Sequence, residues 1–157
     1  MNVLSRAERG SANPGTIQIV GVGASAGGLE ALEQFLASVP AGSGLAYVVV
    51  QHLDPTHKAM LVELLQRATV MPVREAAESM RVEPDVVYVI PPNSELSVVR
   101  GLLHVAQPSQ PRGMRLPIDV LFCSLAREQG ERAIGVVLSG MGSDGTLGLQ
   151  AIKAQVA

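Results

Sequence analysis

Apolar and polar positions along the chain switch repeatedly between two periods. Residues 16–22 (TIQIVGV) are rich in β-branched side chains, and 45–50 (LAYVVV) form a continuous apolar run short enough for a fully buried strand. Between them Leu29, Leu32, Phe35, Leu36 and Val39 recur at helical spacing, so 29–39 predicts an amphipathic helix ended by the loop 40–44. Met60, Leu61, Leu64, Leu65 and Ala68 mark a second helix, entered from Asp54-Pro55-Thr56. The runs 86–90, 96–100 and 102–105 are β-prone and split by Pro91-Pro92-Asn93 and Gly101, which predicts a hairpin rather than another strand–helix–strand unit. Pro117 suits the first turn of a helix over 118–129, where its fixed φ and missing N–H do no harm. Residues 133–138 predict another buried strand and 146–154 a last helix. The alternation predicts an α/β domain: three layers, doubly wound, with a mostly parallel sheet and a β-hairpin insertion.

Composition narrows this picture. At 157 residues the chain suits one domain, and with 47% hydrophobic but only 3% aromatic residues its core must be built from small aliphatics. Residues 1–15 are polar and contain Gly and Pro, which predicts a disordered lead-in, leaving 16–157 as the folded unit. The net charge of -2 comes without a long run of one sign, which argues against a nucleic-acid-binding surface. Cys123 is the single cysteine, so neither an internal disulfide nor a paired-thiol metal motif is expected. It falls among Leu121, Phe122 and Leu125, as a buried core thiol would. No apolar stretch approaches a membrane span, and Arg6 and Arg9 lack the apolar segment of a signal peptide. The expected location is the cytoplasm, without membrane insertion.

Three polar side chains each follow an apolar run: Ser25, His52 and Asp144. In an open α/β sheet the loops at the carboxyl ends of parallel strands converge on one crevice, so residues this far apart can meet. Together they supply a nucleophile, a base and an orienting carboxylate for acyl transfer. Gly23-Ala24-Ser25-Ala26-Gly27 matches G-x-S-x-G, in which glycines let the backbone turn sharply and expose the hydroxyl. Gly21, Gly23 and Ala26 also fit the loose dinucleotide fingerprint, but the second strand ends in Gln51-His52 where an acid for the ribose is required. The plainest reading is a glycine turn that only lets helix and sheet pack closely. His52 stands at a strand end as a general base would, whereas His57 sits near a helix start and His104 in the hairpin. Gly140-Met141-Gly142-Ser143-Asp144-Gly145 implies a tightly folded backbone in which Asp144 opens the next helix, as an N-cap, as the orienter of the imidazole, or as both. Arg112 and Arg115 flank a loop and read most simply as solvated charge.

VGASAGGLEAL, VVVQHLDP, VYVIPPN, RLPID and VVLSGMGSDGTLGL resemble the CheB-type protein-glutamate methylesterase domain of bacterial chemotaxis and related signalling. The wording is most like the methylesterase part of hybrid methylesterase/methyltransferase proteins. The resemblance implies hydrolysis of glutamyl methyl esters on the helices of chemoreceptor-type proteins, with glutamine deamidation in some members. It further implies Ser25 as nucleophile, His52 as base and Asp144 as orienter. The Met141 backbone N–H would serve the oxyanion, with Ala26 and Gly142 as supporting positions. No metal or organic cofactor is implied; partners would be methylated receptor helices, with methyltransferase or receiver-type domains as further candidates. Two departures stand out: Ala26 replaces the usual threonine, and family domains continue past Ala157. The second implies a domain short at its C-terminal side with an exposed apolar sheet edge, and fifteen N-terminal residues supply no receiver domain. Two other functions compete: a non-enzymatic, incomplete or inactive signalling module of the same fold, and a dinucleotide-binding oxidoreductase domain.

Overall fold

The computed structural model describes residues 17–25, 27–52, 61–111, 114–138 and 143–156. β1 (Ile19–Ala24) and β2 (Ala46–Gln51) are buried at every position, as apolar strands covered on both faces must be. They pair in parallel from Ile19↔Ala46 to Ala24↔Gln51. β3 (Val73–Glu75) and β5 (Val87–Val89) extend the sheet beyond β2, and β8 (Ile134–Val137) pairs with the other side of β1. The resulting order is β3-β5-β2-β1-β8, every pairing parallel. The chain winds away from β1 in one direction first and returns on its other side, so β1 lies at the switch point where such sheets open a crevice.

Helices cover both faces. α1 (Leu29–Ser38) and α2 (Leu61–Gln66) bury Leu32, Leu36, Leu61 and Leu65 against Val20, Val22, Tyr47 and Val49. The opposite face of the sheet, with Ile19, Val48 and Val50, receives α3 (Pro117–Gln129) and α4 (Thr146–Lys153). Pro117 occupies the first turn of α3 as expected. A smaller antiparallel sheet, β4 (Met80–Arg81), β6 (Glu95–Val99) and β7 (Leu102–Ala106), lies in the order β4-β7-β6. It contributes Leu96, Val98 and Leu103 to the same core as α3.

Several expectations change in detail. The run 86–90 does not join the hairpin: Val87–Val89 is a central parallel strand between β2 and β3, and its side chains are fully buried. Only 95–106 forms the hairpin, with Met80–Arg81 added to its edge. β8 is half-buried along its length rather than buried, because it is an edge strand of the described sheet. Cys123 is also half-buried, so it is not the core thiol its neighbours suggested. The lead-in 1–15, with Thr16, and the entry 53–60 to α2 lie outside the described residues. No helix among the described residues is long and apolar enough to cross a membrane.

Gly21 and Gly23 lie inside β1 rather than in a turn. A Cβ on Gly21 would come within 2.7 Å of Leu125, and one on Gly23 within 2.7 Å of Ile118. Their lack of side chains therefore lets α3 lie close on the sheet, the plainer of the readings above. A phosphate-binding turn needs these glycines beyond the strand, so the dinucleotide fingerprint loses its structural context.

Candidate active site

The hydrogen bond from His52 N–H to the Ala24 carbonyl, 3.1 Å long, continues the β1–β2 ladder past its last paired residues. It fixes His52 beside the strand end that carries Ser25. The Ser25 carbonyl accepts from Gly28 N–H at 2.9 Å, closing a turn, and from the buried Gln51 side-chain amide at 3.3 Å. α1 begins directly after this turn with no side-chain cap, so its first-turn amides start close to the serine. On the other side of β1, Leu138 N–H donates to the Gly23 carbonyl at 2.9 Å, bringing the end of β8 to the same crevice. Ser25, His52 and Asp144 thus all follow the carboxyl ends of neighbouring strands.

His52 Nε2 lies 2.7 Å from Asp144 Oδ2, the short distance expected of a bond to a carboxylate. The two side chains differ in exposure, 39% for His52 against 6% for Asp144. The carboxylate is buried while the imidazole stays open to an incoming group. With the acceptor at Nε2, the neutral ring that fits carries its proton there and leaves Nδ1 as the basic nitrogen. In the serine-protease arrangement the roles of the two nitrogens are reversed.

Asp144 does more than hold the imidazole. Its Oδ2 accepts from Ile118 N–H at 3.0 Å and its Oδ1 from Asp119 N–H at 2.8 Å. Asp144 therefore caps α3, not the helix that follows it in sequence, whose N-cap position is Gly145. The cap satisfies two first-turn amides and places a negative charge at a helix N-terminus, where the helix dipole favours it. The capping role and the contact with His52 coexist through a helix 26 residues away in sequence.

The remaining candidates separate. His104 Nδ1 contacts Glu78 at 3.2 Å in the hairpin, and the hydrogen bond from the adjacent Val105 amide holds the Glu78 carboxyl below its usual range, helped by His104. Arg115 is not merely solvated: it donates to Asn93 Oδ1 at 2.5 Å and to the Gln110 carbonyl at 2.8 Å, clamping the turn after β5 to the entry of α3. Ala26, Met141, Gly142, His57 and Arg112 lie outside the described residues. Among the described residues no group of three or more His, Cys, Asp or Glu is placed to hold a metal ion. Two site-supporting residues escaped the sequence reading, Gln51 and Asp119; the only hint was an acid in the first turn of a Pro-initiated helix.

The family model for CheB methylesterase matches residues 20–157. The chain belongs to the CheB methylesterase family. A protein-glutamate methylesterase/protein-glutamine glutaminase of Methanosarcina acetivorans is 37% identical over 143 residues, covering 86% of this chain and 40% of that protein. Another, from Anaeromyxobacter dehalogenans, is 39% identical over 142 residues, covering 88% and 40%. The chain thus spans about 40% of the length of these curated relatives. A crystal structure of the Thermotoga maritima CheB methylesterase catalytic domain superposes with a TM-score of 0.79 at 28% identity, covering 89% of this chain and 76% of that one.

Proposed function

We propose that this CheB-family chain is a protein-glutamate methylesterase whose chemistry runs through Ser25, His52 and Asp144. The observation that carries the proposal is the 2.7 Å bond between an open imidazole and a buried carboxylate, beside the strand end bearing Ser25. Ser25 Oγ attacks the ester carbonyl while His52 Nδ1 accepts the hydroxyl proton. The imidazolium so formed is stabilised by Asp144, which the α3 amides hold in place. Collapse of the tetrahedral intermediate returns that proton to the leaving oxygen, and methanol departs from an acyl-serine. Water then enters, gives a proton to His52 and attacks the acyl carbon. The second collapse restores Ser25 and frees a glutamate carboxylate. With a glutamine side chain the same steps release ammonia instead.

Oxyanion stabilisation is assigned, on the strength of the family resemblance, to the Met141 backbone N–H, with Ala26 and Gly142 as supporting positions. The substrate class is methylated glutamates of a protein, as in the function named for the relatives; chemoreceptor-type helices as their carrier come from the family resemblance. Methyltransferase or receiver-type domains are further proposed partners, and the cytoplasm the proposed compartment.

The test is turnover of a receptor fragment carrying isotopically labelled glutamyl methyl esters. Release of labelled methanol in proportion to enzyme is the expected result. Stable binding of the fragment without release would overturn the esterase reading in favour of a non-enzymatic module.

A further inference from the structure

The carboxylates of α3 and of the Asp144 loop are exchanged. Asp144 caps the first turn of α3, while Asp119, in that same first turn, reaches back to the helix after Asp144. Asp119 Oδ1 accepts from Gly145 N–H at 3.0 Å and from Gly148 N–H at 2.7 Å. Gly145 has no side chain with which to cap α4, so Asp119 supplies the cap from another element. The residue is 93% buried, and its second oxygen, Oδ2, is buried without a hydrogen-bond partner among the described residues. Gly145 follows Asp144 directly, so the backbone carrying Asp144 is held at both ends of the exchange.

We infer that Asp119 is a positioning residue for the proposed reaction: through the Gly145 and Gly148 amides it sets where Asp144, and hence His52, stands. The inference rests on the proposed roles of Ser25, His52 and Asp144. Only one Asp119 oxygen is engaged, so the position requires an acceptor at Oδ1 rather than a charge. Asparagine retains that acceptor and alanine does not.

Two readouts test this on the whole chain. In Asp119→Ala, kcat for methanol release falls about 10- to 100-fold with KM unchanged, the penalty of a misplaced catalytic group. Asp119→Asn restores kcat to near the starting value. Independently, the low-field imidazole N–H signal of His52, bonded to Asp144, persists in Asp119→Asn and is lost in Asp119→Ala. Ile152→Ala, a core change on α4 outside these hydrogen bonds, serves as the stability control. It lowers the unfolding midpoint but not kcat measured well below that midpoint. If Asp119→Ala keeps full kcat, or Ile152→Ala lowers kcat equally, the positioning role is overturned. Ser25→Ala is run in parallel to separate the two claims. If turnover does not depend on Ser25, the esterase mechanism fails, and the imidazole signal alone then decides the role of Asp119.

Discussion

Replacing Asp144 with asparagine is expected to destabilise the fold more than its near-isosteric shape suggests. The carboxylate receives three N–H groups on two oxygens: His52 and Ile118 on Oδ2, Asp119 on Oδ1. An amide has one oxygen. Turned toward His52 and Ile118, it points its NH2 at the Asp119 amide, donor against donor at 2.8 Å. Turned the other way, it keeps the Asp119 bond and donates to Nε2 of the other His52 tautomer, but faces the Ile118 amide donor against donor at 3.0 Å. Either orientation forfeits one hydrogen bond to a charged acceptor, about 1.5–3 kcal/mol. It also forfeits the charge at the α3 N-terminus, worth about 0.3–1 kcal/mol. A loss of about 2–4 kcal/mol is therefore expected, a large share of the ~5–15 kcal/mol that holds a typical domain folded. Urea unfolding at neutral pH, followed by far-UV circular dichroism, measures it as a lower midpoint at constant slope. Asp119→Asn, where one oxygen has no partner, costs less. An unchanged midpoint for Asp144→Asn, or a larger loss for Asp119→Asn, would refute the reading of this carboxylate as a doubly engaged cap.

Two further perturbations probe the frame around the site. A Cβ on Gly148 would lie 2.5 Å from Phe122 Cβ and 3.2 Å from Asp119 Oδ1. Gly148→Ala sets about 1–3 kcal/mol of overpacking against about 1 kcal/mol of gained helix propensity, and packing wins because Phe122 Cβ is fixed to the α3 backbone. A net destabilisation of up to about 2 kcal/mol by urea unfolding is expected, and higher stability would contradict it. Tyr88 receives the Glu83 amide at 2.8 Å and donates to the Arg81 carbonyl at 3.2 Å, while burial raises its phenol pKa above the usual 10.0. Its stabilisation is complete below that value and fades as pH rises toward the folded-state value, because the unfolded chain ionises first. Tyr88→Phe should lose stability at pH 7 but show a flatter decline above about pH 10; parallel declines in both proteins would count against this.

The recognisable parts of the molecule were those written in local pattern. Long apolar runs located β1 and β2 to within three residues, since strands buried on both faces must be apolar throughout. The 86–90 run was misassigned because a three-residue central strand and a hairpin strand look alike without knowledge of their partners. β3 (Val73–Glu75) was missed for a related reason: two of its three residues are exposed, so it carries no apolar signature. Ser25, His52 and Asp144 were readable as strand-end residues, but the helix that Asp144 caps was not. Its partners are 25 and 26 residues away, and a capping signal in sequence points only to the next helix. Asp119 was hidden for the same reason, looking like an ordinary first-turn acid.

The proposed chemistry rests on one hydroxyl, that of Ser25, attacking the ester. Its most direct measurement is methanol release from a glutamyl methyl ester by the Ser25→Ala chain beside the unaltered one. Release from the variant is expected at background level, with an unchanged circular dichroism spectrum and unfolding midpoint. Substantial release from the alanine variant, correctly folded, would contradict it.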